Sequence, residues 1–322
     1  MNDAATLNTA IEILEPKSRS EWLQLRRQDV TASQIAALLN VHPYVTALQL
    51  WQEKTGRTVS DDDLDNAAMR RGRLLEDLAF TLAAEQLPQC KLAHNDSTAP
   101  LYWRDSVLRV GCTPDVMAQH RDRGLGVVEL KAIEPSMYAK NWRDDILPVH
   151  VNLQVQTQAH LVGASWAAVG VLRVGHAVEF DLVDVPLNAD AWHGVCGLVA
   201  NFWHQVETNT PPPPDFARDG KAIAELAGPS DGSAIDLSTD NELVDALHRR
   251  EEHKKLHGLL ADELEAIDAL IRHKAGPHEV VMAGDFRLTL KTQAVAGYTV
   301  KPRTQRPIRQ KRIRNGELTR PA

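Results

Sequence analysis

The sequence predicts an α/β protein built on a mixed central sheet flanked by helices. Strand-like runs of β-branched and alternating apolar residues recur at Leu101–Trp103, Val107–Val110, Thr113–Gln119, Val127–Ala132, Ala167–Val174 and Ala177–Val185. Segments with apolar residues at three- and four-residue steps surround them. The order of elements (helices, strands, a helix, two strands, a helix) is that of helices packed on a mixed sheet. At 322 residues and 43% hydrophobic composition, the chain suffices for one large domain, or a domain with an appendage.

Each element has a local reason. Residues 1–17 read as a leader with one short strand at Ile11–Leu14. A helix carrying Trp22, Leu25 and Arg26 follows. Thr31-Ala32-Ser33-Gln34 is a capping box that opens a helix through Leu39. Thr46 caps a helix through Lys54, which Gly56 ends. The acidic run Asp61–Asp63 is a solvated loop. A long helix from about Asn66 to Gln86 has the apolar stripe Ala68, Leu75, Ala79 and Leu82, and also carries Arg70, Arg71, Gly72 and Glu76. Thr113–Gln119 and Val127–Ala132 form a hairpin around the polar turn His120–Gly126. Ser136–Asp144 is helical, and Pro148 leads a helix through Val162 that carries Gln154, Gln156, Gln158 and His160. A hairpin turning at Gly175-His176 precedes a helix over Ala189–Glu207.

Pro211–Pro214 and the Gly/Ser/Asp-rich stretch 228–236 mark a linker. The domain reading is therefore a leader over 1–17, a core over 18–210, a linker over 211–238, a long helix plus hairpin over 239–300 and a basic tail over 301–322. Thr239-Asp240-Asn241-Glu242 reads as a second capping box starting a helix to about Lys274. Its stripe (Leu243, Leu247, Leu260, Leu264, Ile267, Ile271) breaks around His253–His257. That fits a helix packed in its own domain, or a helical hairpin, better than a self-associating coil. A closing hairpin turns at Gly284-Asp285.

The net charge of −7 announces no global basic field for nucleic acid. The charge is uneven, because residues 301–322 hold eight Lys or Arg against the single acid Glu317. Such a cluster can track a phosphate backbone or solubilise a chain end. Three scattered cysteines without a CxxC spacing argue against a disulfide framework, a zinc site or an iron–sulfur cluster, and fit a reducing cytoplasm. No secretion signal and no membrane span are expected.

The chemistry is expected on the central hairpin. Strand side chains alternate faces, so Glu129 and Lys131 point one way and Val128 and Leu130 the other. If the strands pair, Asp115 sits beside Glu129. Two carboxylates suit a hard cation such as Mg²⁺ or Mn²⁺, which polarises a phosphate and holds a water. An adjacent ammonium can orient that water or neutralise the pentacovalent phosphate. The same pattern also suits an ordinary charged surface hairpin. Glu76 can join as a further metal or water ligand, or lie on an exposed helix face. Gln154 can hold the water, and Arg26 with Ser33 can hold a phosphate near a helix start. His160 reads as a packed or surface histidine.

The combination Trp22-x-x-Leu25-Arg26, Thr31-Ala32-Ser33, Arg71-Gly72-x-x-x-Glu76, Cys112-Thr113-Pro114-Asp115, Val128-Glu129-Leu130-Lys131 and Gln154-Val155-Gln156-Thr157-Gln158 resembles the YqaJ-like viral recombinase family over roughly residues 18–185. These are the lambda-type alkaline exonucleases within the PD-(D/E)XK nucleases. The resemblance implies a PD-(D/E)XK core with a helical C-terminal extension. It implies a Mg²⁺-dependent 5′→3′ exonuclease on double-stranded DNA ends that leaves a 3′ strand for annealing and recombination. Asp115, Glu129, the Leu130 carbonyl and Glu76 would serve the metal. Lys131 would act on the attacking water, Gln154 would position it, and Arg26 and Ser33 would hold the 5′-phosphate. It further implies a phage-type single-strand annealing partner and a ring-shaped homotrimer. The residues beyond about 210 depart from the minimal family pattern. An endonuclease on the same fold, or a DNA-end-binding recombination scaffold without catalysis, are the alternatives.

Overall fold

The structure is a computed structural model that describes residues 11–58, 67–95, 100–142, 147–294 and 308. The acidic run Asp61–Asp63 and the basic tail, apart from Ile308, lie outside the described residues. The chain divides into two units, Met1–Ala227 and Gly228–Ala322.

The first unit holds two sheets. A four-stranded sheet is formed by β1 (Ile11–Leu14), β4 (Tyr102–Asp105), β5 (Val110–Cys112) and β2 (Val30–Thr31), in that order. The leader strand therefore pairs antiparallel with β4, Ile13 opposite Trp103. The second sheet has the order β3 (Cys90–His94), β6 (Val116–His120), β7 (Gly124–Ile133), β8 (Trp166–Val174), β9 (Val178–Val185). Its β7–β8 pair is parallel and the others antiparallel, so the sheet is mixed. A parallel pair needs a crossover. Here α4 (Pro135–Asn141) and α5 (Val149–Val162) supply it.

Both faces of this sheet are covered, which explains the near-continuous apolar runs of β7 and β8. On one face Val127, Val169 and Val171 pack with Val151, Val155 and Ala159 of α5. On the other, Val116, Val128 and Ala168 pack with Leu87 and with Phe80 of α3 (Ala67–Gln86). A third core joins the 3₁₀ helix Ala32–Leu39, α2 (Ala47–Lys54) and α6 (Ala189–Glu207) through Ile35, Leu50, Trp51, Val199, Phe202 and Trp203. α1 (Arg19–Gln28) is capped by Ser18. Gly126 is needed for close approach: a Cβ there would lie 2.1 Å from the Trp166 ring.

Several expectations shift. The first hairpin strand begins at Val116 rather than Thr113, leaving Asp115 just ahead of it. The segment read as Val107–Val110 is instead a turn followed by β5. Asp105 Oδ1 accepts from the Val107 and Leu108 amides there, and Arg109 is left-handed at φ 56°. The strand β3 had no expectation. The helix after the central hairpin ends at Asn141, and Asp144 lies outside the described residues. Part of the stretch read as linker packs within the first unit. Asp219 is fully buried and accepts from Thr46 Oγ1 at 2.5 Å, and Gln52 donates to the Ala222 carbonyl of α7 (Gly220–Ala227).

The second unit comprises α8 (Asn241–Ala275) and the antiparallel pair β10 (Val280–Ala283) and β11 (Phe286–Thr289). The cap of α8 is Asp240, whose carboxylate accepts from the Leu243 amide at 2.9 Å, not Thr239. Ionised Asp is a strong acceptor and complements the helix dipole. Residues 252–270 of α8 are exposed at every position. Among the described residues, no helix is long and apolar enough to cross a membrane.

Candidate active site

The central hairpin sets the geometry. Val116 lies opposite Val128, so the antiparallel register carries Asp115 to the position facing Glu129. Asp115 Oδ2 accepts from the Leu130 amide at 2.7 Å, which ties the residue ahead of β6 to the middle of β7. Glu129 is on the α5 face of the sheet and is only 3% exposed. Its Oε1 accepts from Lys131 Nζ at 2.5 Å and from Gln154 Nε2 at 2.6 Å, and its Oε2 accepts from Gln158 Nε2 at 2.7 Å. Lys131 also donates to Gln154 Oε1 at 3.1 Å. Asp115, Glu129, Lys131 and Gln154 are thus brought together as the sequence suggested. Gln158 completes the cluster, and the sequence motif that contains it gave it no role. The signal was its spacing: four residues after Gln154, on the same helical face.

The electrostatics follow from burial of like charges. Burial, and then the facing Glu129, push the Asp115 carboxyl well above the usual carboxylate range, against the pull of Lys131 and the Leu130 amide. For Lys131, burial works against the ammonium. Glu129, then Asp115, outweigh it, and its pKa is raised.

A cavity of about 280 Å³ opens at this end of the sheet, with Asp115, Gln154 and Gln158 on its wall. Arg26 and Ser33 line the same cavity. The Arg26 guanidinium lies 4.5 Å from the Trp22 ring centre, and the Trp22 indole donates to Thr113 Oγ1 at 3.0 Å. Trp22 is therefore the shelf that presents Arg26, a stacking role that the bare Arg–Ser spacing did not reveal. Ser33 Oγ is 3.1 Å from Thr31 Oγ1. Glu76 reaches the cavity from α3, on the opposite face of the sheet from α5. Its carboxylate is 3.1 Å from His94 Nε2, and that ring stacks on Phe80 at 4.6 Å. Burial raises the Glu76 pKa against the bond from His94. His160 stacks on Trp192 at 3.9 Å, a packed histidine.

A hard divalent cation takes oxygen donors. Among the described residues, no three His, Cys, Asp or Glu side chains stand close enough to hold a metal alone. A cation that keeps several of its waters does not need three. Two facing acids, and the buried Gln158 Oε1 with no partner among the described residues, are groups such an ion and its waters would satisfy. The residues fit the ion.

Beside Lys131 lies a histidine pair, His42 and His150, with ring centres 6.1 Å apart. His42 Nδ1 accepts from the Tyr44 and Val45 amides at 3.2 and 3.0 Å, which fixes a neutral ring. Burial, then His150, Arg218 and Lys131, lower its pKa from 6.5 to about 4. The unfolded chain takes that proton near its ordinary value, and the folded chain resists until about pH 4. Stability is therefore complete above the ordinary value and declines as pH falls toward about 4. Thermal melts over that window are expected to show a flatter decline for His42→Gln than for the unaltered protein. Parallel curves would remove His42 as a cause.

A family model described as YqaJ-like viral recombinase domain matches residues 21–165. Among solved structures, the chain is similar to an alkaline exonuclease (LHK-Exo) from Laribacter hongkongensis, at 18% identity and TM-score 0.47, covering 64% of this chain and 100% of that one. It is similar to the same exonuclease in complex with dAMP, at 18% identity and TM-score 0.44, covering 59% of this chain and 94% of that one. A SOX–DNA complex is a more distant likeness, at 12% identity and TM-score 0.38, covering 59% and 68%. No curated protein matches the chain.

Proposed function

We propose that this chain, which carries a YqaJ-like viral recombinase domain over residues 21–165, is a Mg²⁺-dependent 5′→3′ exonuclease on double-stranded DNA ends. Its product is a 3′ single strand for recombination by annealing. The observation that carries the reading is the register pair of Asp115 and Glu129, with Lys131 and Gln154 both bonded to the same Glu129 oxygen.

Asp115, Glu129 and the Leu130 carbonyl, with Glu76 in support, would hold a divalent cation, which would supply polarisation of the scissile phosphate and an acidified water. The chain's own groups do the rest. Lys131 places a raised-pKa ammonium, which stays charged at neutral pH, beside the reacting phosphate, where negative charge builds. Gln154, fixed between Lys131 and Glu129, offers a rigid amide to orient the attacking water. Arg26, stacked on Trp22, presents its guanidinium to the terminal 5′-phosphate, and Ser33 adds a hydroxyl. A requirement for that phosphate would select ends over internal bonds.

The test is digestion of end-labelled linear duplex in Mg²⁺, with and without a 5′-phosphate, beside a closed circular duplex. Loss of the 5′ label from phosphorylated ends, with the circle intact, is expected. Cutting of the circle would favour an endonuclease, and binding without cutting a scaffold. Joint action with an annealing protein and a trimeric ring belong to the same reading, and sedimentation of the full chain tests the ring.

A further inference from the structure

We infer that Gln158 is a further positioning residue of this site, which orders a water on the bound divalent cation while holding Glu129 in place. The inference rests on the proposed cation site. Gln158 lies one helical turn beyond Gln154 on α5 and is 1% exposed. The two amides straddle one carboxylate, Gln154 on Oε1 at 2.6 Å and Gln158 on Oε2 at 2.7 Å.

Chemistry fixes which way the Gln158 amide points. An ionised carboxylate only accepts, so the end facing Glu129 must be the NH₂ group, and a flipped amide would set two acceptors against each other. That leaves Oε1 as the uncommitted end. It is buried and has no hydrogen-bond partner among the described residues. A buried carbonyl left without a donor is destabilising, and native structures keep few of them.

Gln158 is on the wall of the cavity shared by Asp115 and Gln154. That cavity is the adjoining space from which the missing donor can come. A magnesium-class ion brings several polarised waters, each a strong donor. A water donating to Gln158 Oε1 has one proton fixed in direction, and its remaining valences are oriented with it. The side chain thus acts through Glu129 on one side and through a water on the other. Neither contact requires Gln158 to touch the metal or the substrate.

The experiment is Mn²⁺ titration of the full-length protein without DNA, read by calorimetry and by water-proton relaxation, for the unaltered chain, Gln158→Leu and Gln158→His. Gln158→Leu is expected to weaken Mn²⁺ binding by about 10–100-fold, the usual effect of losing a partner of a metal ligand, and to change the relaxation enhancement of the bound ion. Gln158→His, which keeps one donor and one acceptor, is expected to recover part of the affinity. Circular dichroism confirms folding. If Gln158→Leu proves unfolded, Gln158→His carries the test by its own shift in affinity and relaxation. A folded variant binding Mn²⁺ with unaltered affinity and relaxation overturns the inference alone. Absence of Mn²⁺ uptake by the unaltered chain overturns the proposed cation site, and the inference with it.

Discussion

Lys131→Met is expected to slow hydrolysis of duplex ends by about 10²–10³-fold, the usual cost of removing one preorganised group that meets developing charge. The fold should survive it. Lys131 is a partly exposed side chain, and Glu129 keeps two amide donors, Gln154 and Gln158, when the ammonium is gone. Methionine keeps an apolar stem of similar length while removing the charge. Glu129→Ala should remove as much activity but with more structural damage, because Lys131, Gln154 and Gln158 all lose their shared acceptor. Initial rates on 5′-phosphorylated duplex, beside melting curves of each variant, separate the two effects. End digestion by Lys131→Met at the unaltered rate would remove Lys131 from the chemistry.

The largest effect on stability is expected away from the reacting groups. Asp29 is fully buried at the end of α1. Its Oδ1 accepts from Arg104 Nη2 at 2.7 Å and its Oδ2 from the Tyr102 hydroxyl at 3.1 Å. Burial raises its pKa despite Arg104. Arg104→Met leaves a buried carboxylate without its cation and is expected to cost about 3–5 kcal/mol in urea unfolding. Adding Asp29→Asn should recover a large part of that loss, because the charge that needed the arginine is gone. The single variant's deficit should also shrink in acid, where Asp29 of the folded state takes up a proton more readily than in the unfolded chain. A loss below about 1 kcal/mol would mean that water reaches Asp29 and the pair is ordinary.

Much of the site was legible because strand periodicity and register are simple rules. Alternation placed Glu129 and Lys131 on one face, and the hairpin turn placed Asp115 opposite Glu129 even though the strand begins a residue later. Helix α6 and the capping of α2 by Thr46 also follow from local chemistry, with the Gln49 amide on Thr46 Oγ1 at 3.2 Å. Other features were not legible. Strand β3 is short and has no β-branched residue and no Phe, Tyr or Trp, and its pairing with β6 makes it a strand. The four-stranded sheet joins Ile11–Leu14 to Tyr102–Asp105, a separation that no local pattern encodes. Trp22 under Arg26, and His94 on Glu76, are contacts between distant segments and exist only once the fold is formed.

The facing acids at Asp115 and Glu129 also place robustness and chemistry in opposition within this molecule. The two carboxyls share the Lys131 ammonium, which offsets only part of their mutual repulsion, so without a divalent cation the pair works against the fold. Asp115→Asn is accordingly expected to melt at a higher temperature than the unaltered chain in chelator. The difference should narrow or reverse as Mg²⁺ is added, since an ion that binds only the native state strengthens the original pair.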